Sequence, residues 1–154
     1  MDKEWDSRPD PELLLRQNFP EGEPDGKGKL KIFFGYAAGV GKTYTMLDAA
    51  RQEKEAGRDV VAGYIEPHDR PDTMALLDGL EFLPPRTVGY KGIVLREFDL
   101  DAALIRRPDL ILVDELAHTN AQGCRHRKRC QDVTELLDAG LNVYTTGNVQ
   151  HLES

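Results

Sequence analysis

A lysine and a threonine close a glycine-rich turn near the start of the chain, in the stretch GYAAGVGKT at residues 35–43. Glycines let a backbone approach phosphate oxygens closely, and successive N–H groups in such a turn point toward an anion. Lys42 could reach the β- and γ-phosphates of a nucleotide, and the Thr43 hydroxyl could bind Mg²⁺. The turn therefore predicts a site for ATP with Mg²⁺.

This turn departs from the strict phosphate-loop pattern G-x-x-x-x-G-K-[ST] at one position. That pattern asks for glycine at position 36, where this chain has Tyr36, while Gly35 comes one place early and Gly39 lies inside the turn. The G-K-T end still supplies the lysine, the hydroxyl and the start of a helix. The alternative is a purely structural turn between a strand and a helix.

A second candidate element is the stretch LILVDE at residues 110–115, an apolar run followed by two acids. Asp114 could hold Mg²⁺ through water, and Glu115 could orient or deprotonate an attacking hydroxyl or water. Acids after a strand are usually solvated, but a glycine-rich turn and an acidic strand end in this order favour nucleotide binding. The predicted nucleotide- and Mg²⁺-binding residues are Gly35, Ala38, Gly39, Val40, Gly41, Lys42, Thr43, Tyr44 and Asp114, with Thr43 and Asp114 serving the metal.

Further polar residues follow other predicted strands at the same end of the sheet. Glu66, ahead of His68 and Arg70, is a candidate base or a Mg²⁺ ligand through water; the alternative is a polar loop before a helix. Asn148, Gln150 and His151 could detect the γ-phosphate, or form a structural turn.

The basic stretch at residues 125–129 offers Arg125 and Arg129 as candidates for an arginine finger that neutralises a transferring phosphate. The alternative is a solvated or partner-facing basic loop. Cys124, His126 and Cys130 interleave with these cations, and their spacing fits none of the usual zinc patterns, so zinc is not expected.

The elements that must position these residues alternate between apolar strands and amphipathic helices. This order predicts an α/β fold with a P-loop NTPase-like parallel β-sheet flanked by helices, and the fold is expected to be truncated at its C-terminal end. At least one strand is expected to lie between the strand before the glycine-rich turn and the strand that ends at Asp114 and Glu115. Residues 1–28 are predicted to be a flexible leader that could hold a short helix at 10–17, and 29–154 the nucleotide-binding domain. Predicted strands are 30–34, 59–66, 86–90, 109–115 and 141–146; predicted helices are 43–56, 71–80, 98–107 and 131–140.

Composition narrows the classes of protein. A chain of 154 residues is the length of one domain, and a net charge of −7 argues against a general nucleic-acid binder. No apolar run approaches the roughly 18–20 residues of a membrane span, and no signal-peptide pattern precedes residue 20. Two cysteines make no disulfide framework, which favours a reducing cytoplasm.

Several motifs resemble the N-terminal cytoplasmic domain of the KdpD family of potassium-responsive sensor kinases. They are GKLKIFFGYAAGVGKTYTML, EPHDRPDT, EFDLDAAL, RRPDLILVDELAHTNAQGCRH and NVYTTGNVQHLES. The family usually reads NAPGSRHPKRWQD where this chain has NAQGCRHRKRCQD, and usually has a bulky apolar residue in place of Gly147. Those departures bear on the rigidity of two loops and leave the predicted phosphate site unchanged.

The resemblance implies an ATP-binding regulatory domain on the cytoplasmic side of an inner-membrane sensor histidine kinase. For the rest of the protein, the resemblance implies the remainder of the α/β fold, a universal-stress-protein-like domain, four membrane helices and a kinase core. The kinase core would be a partner of this domain. A response regulator and a potassium pump are the further partners it implies. The alternatives are an ATPase or a serine-type protein hydroxyl kinase in this domain, with Glu115 or Glu66 as base, and an interaction module that binds no nucleotide.

Overall fold

The computed structural model describes residues 27–35, 40–66 and 71–148. Of the predicted leader at residues 1–28, residues 1–26 lie outside these ranges. So do six predicted site residues, namely Ala38, Gly39, His68, Arg70, Gln150 and His151.

Seven strands and four helices are formed by the described residues. The strands are β1 (Leu30–Gly35), β2 (Val60–Tyr64), β3 (Glu81–Phe82), β4 (Arg86–Tyr90), β5 (Ile93–Glu97), β6 (Leu110–Val113) and β7 (Asn142–Asn148). The helices are α1 (Val40–Glu55), α2 (Pro71–Ala75), α3 (Leu100–Arg106) and α4 (Arg129–Asp138).

Five strands form one parallel sheet in the order β1-β7-β6-β2-β3. The predicted α/β class with a parallel sheet flanked by helices is thereby confirmed. β7 lies between β1, which precedes the glycine-rich turn, and β6, which precedes Asp114 and Glu115. The intervening strand that the sequence predicted is therefore present. Since all five strands run the same way, their carboxyl ends meet at one edge, where open α/β sheets bind ligands.

The strand predicted at residues 86–90 forms, but it does not join the parallel sheet. It pairs antiparallel with β5, a strand that the sequence reasoning missed, in a separate two-stranded hairpin. Lys91 and Gly92 both have positive φ, as a two-residue type I′ turn requires. A tight turn makes the neighbouring strand the nearest partner, and the sheet edge beyond β2 is taken by β3 instead.

Helices cover both faces of the parallel sheet because β6 is apolar on both. Successive side chains of a strand point to opposite faces, so Leu110 and Leu112 pack with Met46 and Leu47 of α1. On the other side, Ile111 and Val113 pack in a cluster with residues of α3 and α4, among them Leu100, Ala103, Val133 and Leu136. Burial on both faces explains why LILV reads as a continuous apolar run.

The helix ends follow local signals for the most part. α3 begins at the N-cap Asp99, whose carboxylate accepts a hydrogen bond from the Ala102 N–H at 3.0 Å, and it ends before Pro108 as predicted. α2 is shorter than predicted, because residues 76–79 form turns. Among the described residues, no helix has the length and apolar character needed to cross a bilayer.

Candidate functional site

The candidate site lies at the carboxyl edge of the sheet, where β1, β7 and β6 end side by side. α1 follows the glycine-rich turn and carries Lys42 and Thr43 in its first turn, and both side chains are buried. Asp114 follows the last residue of β6, and Asn148 is the last residue of β7. The sheet order therefore brings together residues that are up to 106 positions apart.

Lys42 contacts the end of the neighbouring strand. Its Nζ donates a hydrogen bond to Oδ1 of Asn148, and both side chains are more than nine-tenths buried. Asn148 was predicted to lie near a γ-phosphate, and the structure places it beside the lysine predicted to bind one. A cation and an amide at one strand edge form a polar pair suited to phosphate oxygens.

The Asp114 carboxylate is the most heavily hydrogen-bonded group of the site. It lies 3.2 Å from the Thr43 hydroxyl and accepts a bond of 2.5 Å from the Thr146 hydroxyl. The backbone N–H of Glu66 also donates to it, at 3.0 Å. A buried hydroxyl and a buried carboxylate facing each other are hard oxygen ligands, and this donor set fits Mg²⁺.

Thr146 is a residue of the site that the sequence reasoning missed. Its hydroxyl donates to the Asp114 carboxylate and accepts a hydrogen bond of 2.9 Å from the Glu115 N–H. The signal was weak: two adjacent threonines, Thr145 and Thr146, lie in the strand shortly ahead of Asn148. Only the pairing of β7 with β6 shows that Thr146 faces the acidic strand end.

Glu115 and Glu66 take up different positions relative to Asp114. Glu115 has a left-handed backbone, with φ of 64°, and its side chain is half-buried. Glu66 approaches Asp114 through its backbone, while its carboxylate accepts a hydrogen bond of 3.3 Å from the Tyr64 hydroxyl. Burial, followed by the nearby Glu66 charge, raises the pKa of Tyr64. Of the two predicted bases, Glu115 comes directly after the carboxylate suited to Mg²⁺.

The two candidate arginine fingers lie in different surroundings. Arg125 is exposed and pairs with Asp101 and Glu135, so the structure brings it to α3 and α4 rather than to Lys42 or Asp114. Arg129 is fully buried and donates a hydrogen bond of 2.8 Å to the backbone carbonyl of Asp114. Neither occupies a free loop over the site.

The remaining predicted residues show no metal cluster. Within residues 27–35, 40–66 and 71–148, no group of three His, Cys, Asp or Glu side chains could hold an ion, and both cysteines are free. Burial raises the pKa of the Cys124 thiol. Tyr44 lies on α1 and is exposed. Gly35 is the last residue of β1, and Val40 and Gly41 are the first two residues of α1.

Fold and site together define a parallel α/β domain with a lysine, a hydroxyl, a carboxylate and an amide at the carboxyl edge of its sheet. Comparison with known proteins then gives the family: the KdpD profile, described as "Osmosensitive K+ channel His kinase sensor domain", matches residues 26–154. The chain belongs to this KdpD sensor-domain family.

Curated relatives agree with this assignment. The Sensor protein KdpD of Clostridium acetobutylicum is 62% identical over 147 residues, which is 96% of this chain and 16% of that protein. The Sensor protein KdpD of Escherichia coli is 56% identical over 147 residues, again 96% of this chain and 16% of the relative. The chain thus spans about a sixth of the length of these relatives.

Proposed function

We propose that this domain binds Mg·ATP and acts as the nucleotide-dependent regulatory domain of a KdpD-type sensor kinase. The observation that carries the proposal is the convergence of Lys42, Thr43 and Asp114 where a glycine-rich turn opens a helix. A helix N-terminus adds partial positive charge to such a turn, which favours an anion. Apart from Gly35, the residues that would cradle the phosphates are 38–44.

Each side chain has a role that its surroundings allow. Lys42 would neutralise charge on the β- and γ-phosphates, and Asn148 beside it would lie close enough to respond to the γ-phosphate. The Thr43 hydroxyl and the Asp114 carboxylate would hold Mg²⁺, the carboxylate through water. The bound Mg²⁺ would offset phosphate charge, while the buried Thr146 hydroxyl would keep Asp114 directed toward it.

The role of the whole protein follows from the family. The relatives are named sensor proteins, and the family description names an osmosensitive potassium-channel histidine kinase sensor domain. We therefore infer a histidine kinase of a two-component system for potassium homeostasis, with this domain on the cytoplasmic side of the membrane. ATP occupancy would set how the domain docks on the kinase core, and a response regulator or the potassium pump would be partners further along.

A second candidate function is an ATPase or a serine-type protein kinase within the domain. The observation that favours it is the position of Glu115 directly after Asp114, in a turn held by hydrogen bonds on both sides of its peptide. Glu115 would serve as base, and Glu66 is the other candidate. Glu115→Gln separates the two functions: a sensor keeps ATP binding and signalling, whereas an enzyme loses phosphoryl release or transfer. Wild-type turnover by the variant would remove Glu115 from the mechanism.

The proposal is tested by calorimetric titration of ATP into the chain with Mg²⁺. Micromolar-range binding is expected for the wild type, and Lys42→Ala should weaken it at least about 100-fold, because a buried cation and its phosphate contacts are lost. Lys54→Ala, an exposed lysine at the far end of the same helix, is the matched control and should bind as the wild type does. A folded wild-type chain that binds no ATP would contradict the proposal.

A further inference from the structure

The peptide unit between Asp114 and Glu115 is held from both sides. The Asp114 carbonyl accepts a hydrogen bond of 2.8 Å from Arg129, and the Glu115 N–H donates one of 2.9 Å to the Thr146 hydroxyl. With the plane of this peptide fixed, the backbone from which the Asp114 side chain projects and the start of the Glu115 turn are fixed too. The left-handed φ of Glu115 is unfavourable for a residue with a Cβ, so such a turn persists only where its surroundings hold it.

Arg129 is itself held by residues from other parts of the chain. Its guanidinium lies 3.4 Å from the buried Glu97 carboxylate at the end of β5 and 4.3 Å from the centre of the Tyr64 ring. Glu97 also accepts hydrogen bonds from His118 and from the Ala121 N–H, at 2.9 Å each. The β4–β5 hairpin is thereby connected to the acidic strand end through one buried ion pair.

Arg129 is poorly explained by stability alone. Its Nε has no hydrogen-bond partner among the described residues, and a fully buried cation costs desolvation that a single carboxylate at 3.4 Å offsets only in part. Apolar side chains of similar volume in place of both Arg129 and Glu97 would fill the same space without that cost. The contact that such a pair could not reproduce is the hydrogen bond to the Asp114 carbonyl.

We propose that Arg129 is a positioning residue for the Mg²⁺ site: it fixes the Asp114–Glu115 peptide, together with Thr146, so that the Asp114 carboxylate faces Thr43. This inference rests on the proposed Mg·ATP binding and assigns Arg129 a role different from that of an arginine finger. Arg129 does not touch the nucleotide. It acts through Asp114, and so affects the part of ATP affinity that depends on Mg²⁺.

The test is titration of ATP into the whole chain, once with Mg²⁺ and once with EDTA. Arg129→Lys keeps the charge but not the forked geometry that reaches both Asp114 and Glu97. It should weaken ATP binding about tenfold with Mg²⁺, as expected for a residue that orients a metal ligand. Binding without Mg²⁺ should equal that of the wild type. Arg127→Lys, an exposed arginine two residues earlier, is the matched control and should match the wild type in both titrations.

Thr146→Val removes the other bond to the same peptide, together with the bond from Thr146 to the Asp114 carboxylate, while keeping the volume of the buried side chain. It should show the same selective loss, and Thr146→Ser, which keeps the hydroxyl, should restore Mg²⁺-dependent binding. These two variants carry the test if Arg129→Lys does not give a cooperative thermal transition. A role in packing alone would lower thermal stability without this dependence on Mg²⁺.

The outcomes that overturn the inference differ in what they leave standing. A folded Arg129→Lys chain with wild-type affinity in Mg²⁺, or with equal loss in Mg²⁺ and in EDTA, overturns the positioning role alone. A wild type that binds ATP equally well with and without Mg²⁺ overturns it too and leaves nucleotide binding intact. A wild type that binds no ATP overturns the proposed function together with this inference.

Discussion

The two ends of the parallel sheet carry the same kinds of side chain in different surroundings. At the amino end, Arg106 pairs with Asp59 at 2.7 Å and with Glu81 at 2.9 Å, and the three side chains are 31%, 44% and 51% exposed. At the carboxyl end, Asp114 and Arg129 are 1% and 0% exposed.

The difference shows that close ion pairs do not by themselves mark a site. Exposed pairs contribute little because water and salt screen them, so the shorter contacts of Arg106 have no evident chemical use. The carboxyl end differs in that its polar groups lie among the start of α1 and the ends of three strands. Burial there would strengthen the electrostatic attraction between these polar groups and the proposed nucleotide.

The largest difference between the two ends is expected when the same substitution, Asp to Asn, is made at each end and ATP affinity is measured. Asp114→Asn should weaken ATP binding in the presence of Mg²⁺ by about 10- to 100-fold, because the charged oxygen proposed to hold Mg²⁺ through water is lost. Asp59→Asn, at the amino end, should leave the affinity unchanged. Calorimetric titration with Mg²⁺ measures both, and equal losses in the two variants would mean that the ends do not differ in function.

Gly63, in β2, allows a test of the packing between the two ends of the sheet. A Cβ at Gly63 would lie 2.8 Å from the Phe98 ring and 2.9 Å from the Ile111 side chain. Gly63→Ala should therefore lower the free energy of unfolding by about 1–3 kcal/mol, the usual cost of overpacking. Gly89→Ala in β4 is the matched control, because a Cβ there meets nothing within 4 Å. Urea unfolding compares them, and equal effects would contradict the packing described for β2.

Buried Asp132, at the start of α4, should give a pH dependence of stability opposite to that of the amino-end acids. Burial raises its pKa, although the hydrogen bond from Asn120 acts in the other direction. An acid whose folded-state pKa is raised loses stability as the pH rises through that pKa. Asp132→Asn should therefore stabilise the fold at pH 7, with a gain that declines toward about pH 4. Urea unfolding at the two values checks this; a gain that grows in acid would contradict it.

The smallest effect is expected at the amino end. The hydrogen bond from Arg106 lowers the pKa of Asp59 and of Glu81, so their contribution is present above the ordinary carboxyl pKa and is lost as the pH falls through the lowered values. Arg106→Ala should lower the melting temperature slightly at pH 7, less so in high salt, and not at all in acid. Exposed Arg96→Ala is the control. A large decrease in melting temperature that does not depend on salt would show that water and salt do not screen these ion pairs.

Much of this domain is determined by short stretches of sequence. The alternation of apolar runs with helical periodicity indicates a parallel α/β fold, and local signals such as Pro108 end helices where the structure ends them. The residue types in GKT and VDE already indicate phosphate and Mg²⁺ chemistry, since lysine, hydroxyl and carboxylate are the groups that this chemistry uses. These features depend on neighbours within a few positions, which a sequence shows directly.

Only the tertiary structure decided which strands are neighbours. The position of β7 between β1 and β6 brings Asn148 to Lys42 and Thr146 to Asp114. At the other edge of the sheet, β3 rather than residues 86–90 pairs with β2. It also buries Arg129 beneath the acidic strand end while Arg125, four positions earlier, remains exposed. The physical reason is that strand order and burial depend on contacts between segments that are far apart in the sequence. The residues within a few positions of one another do not determine those contacts.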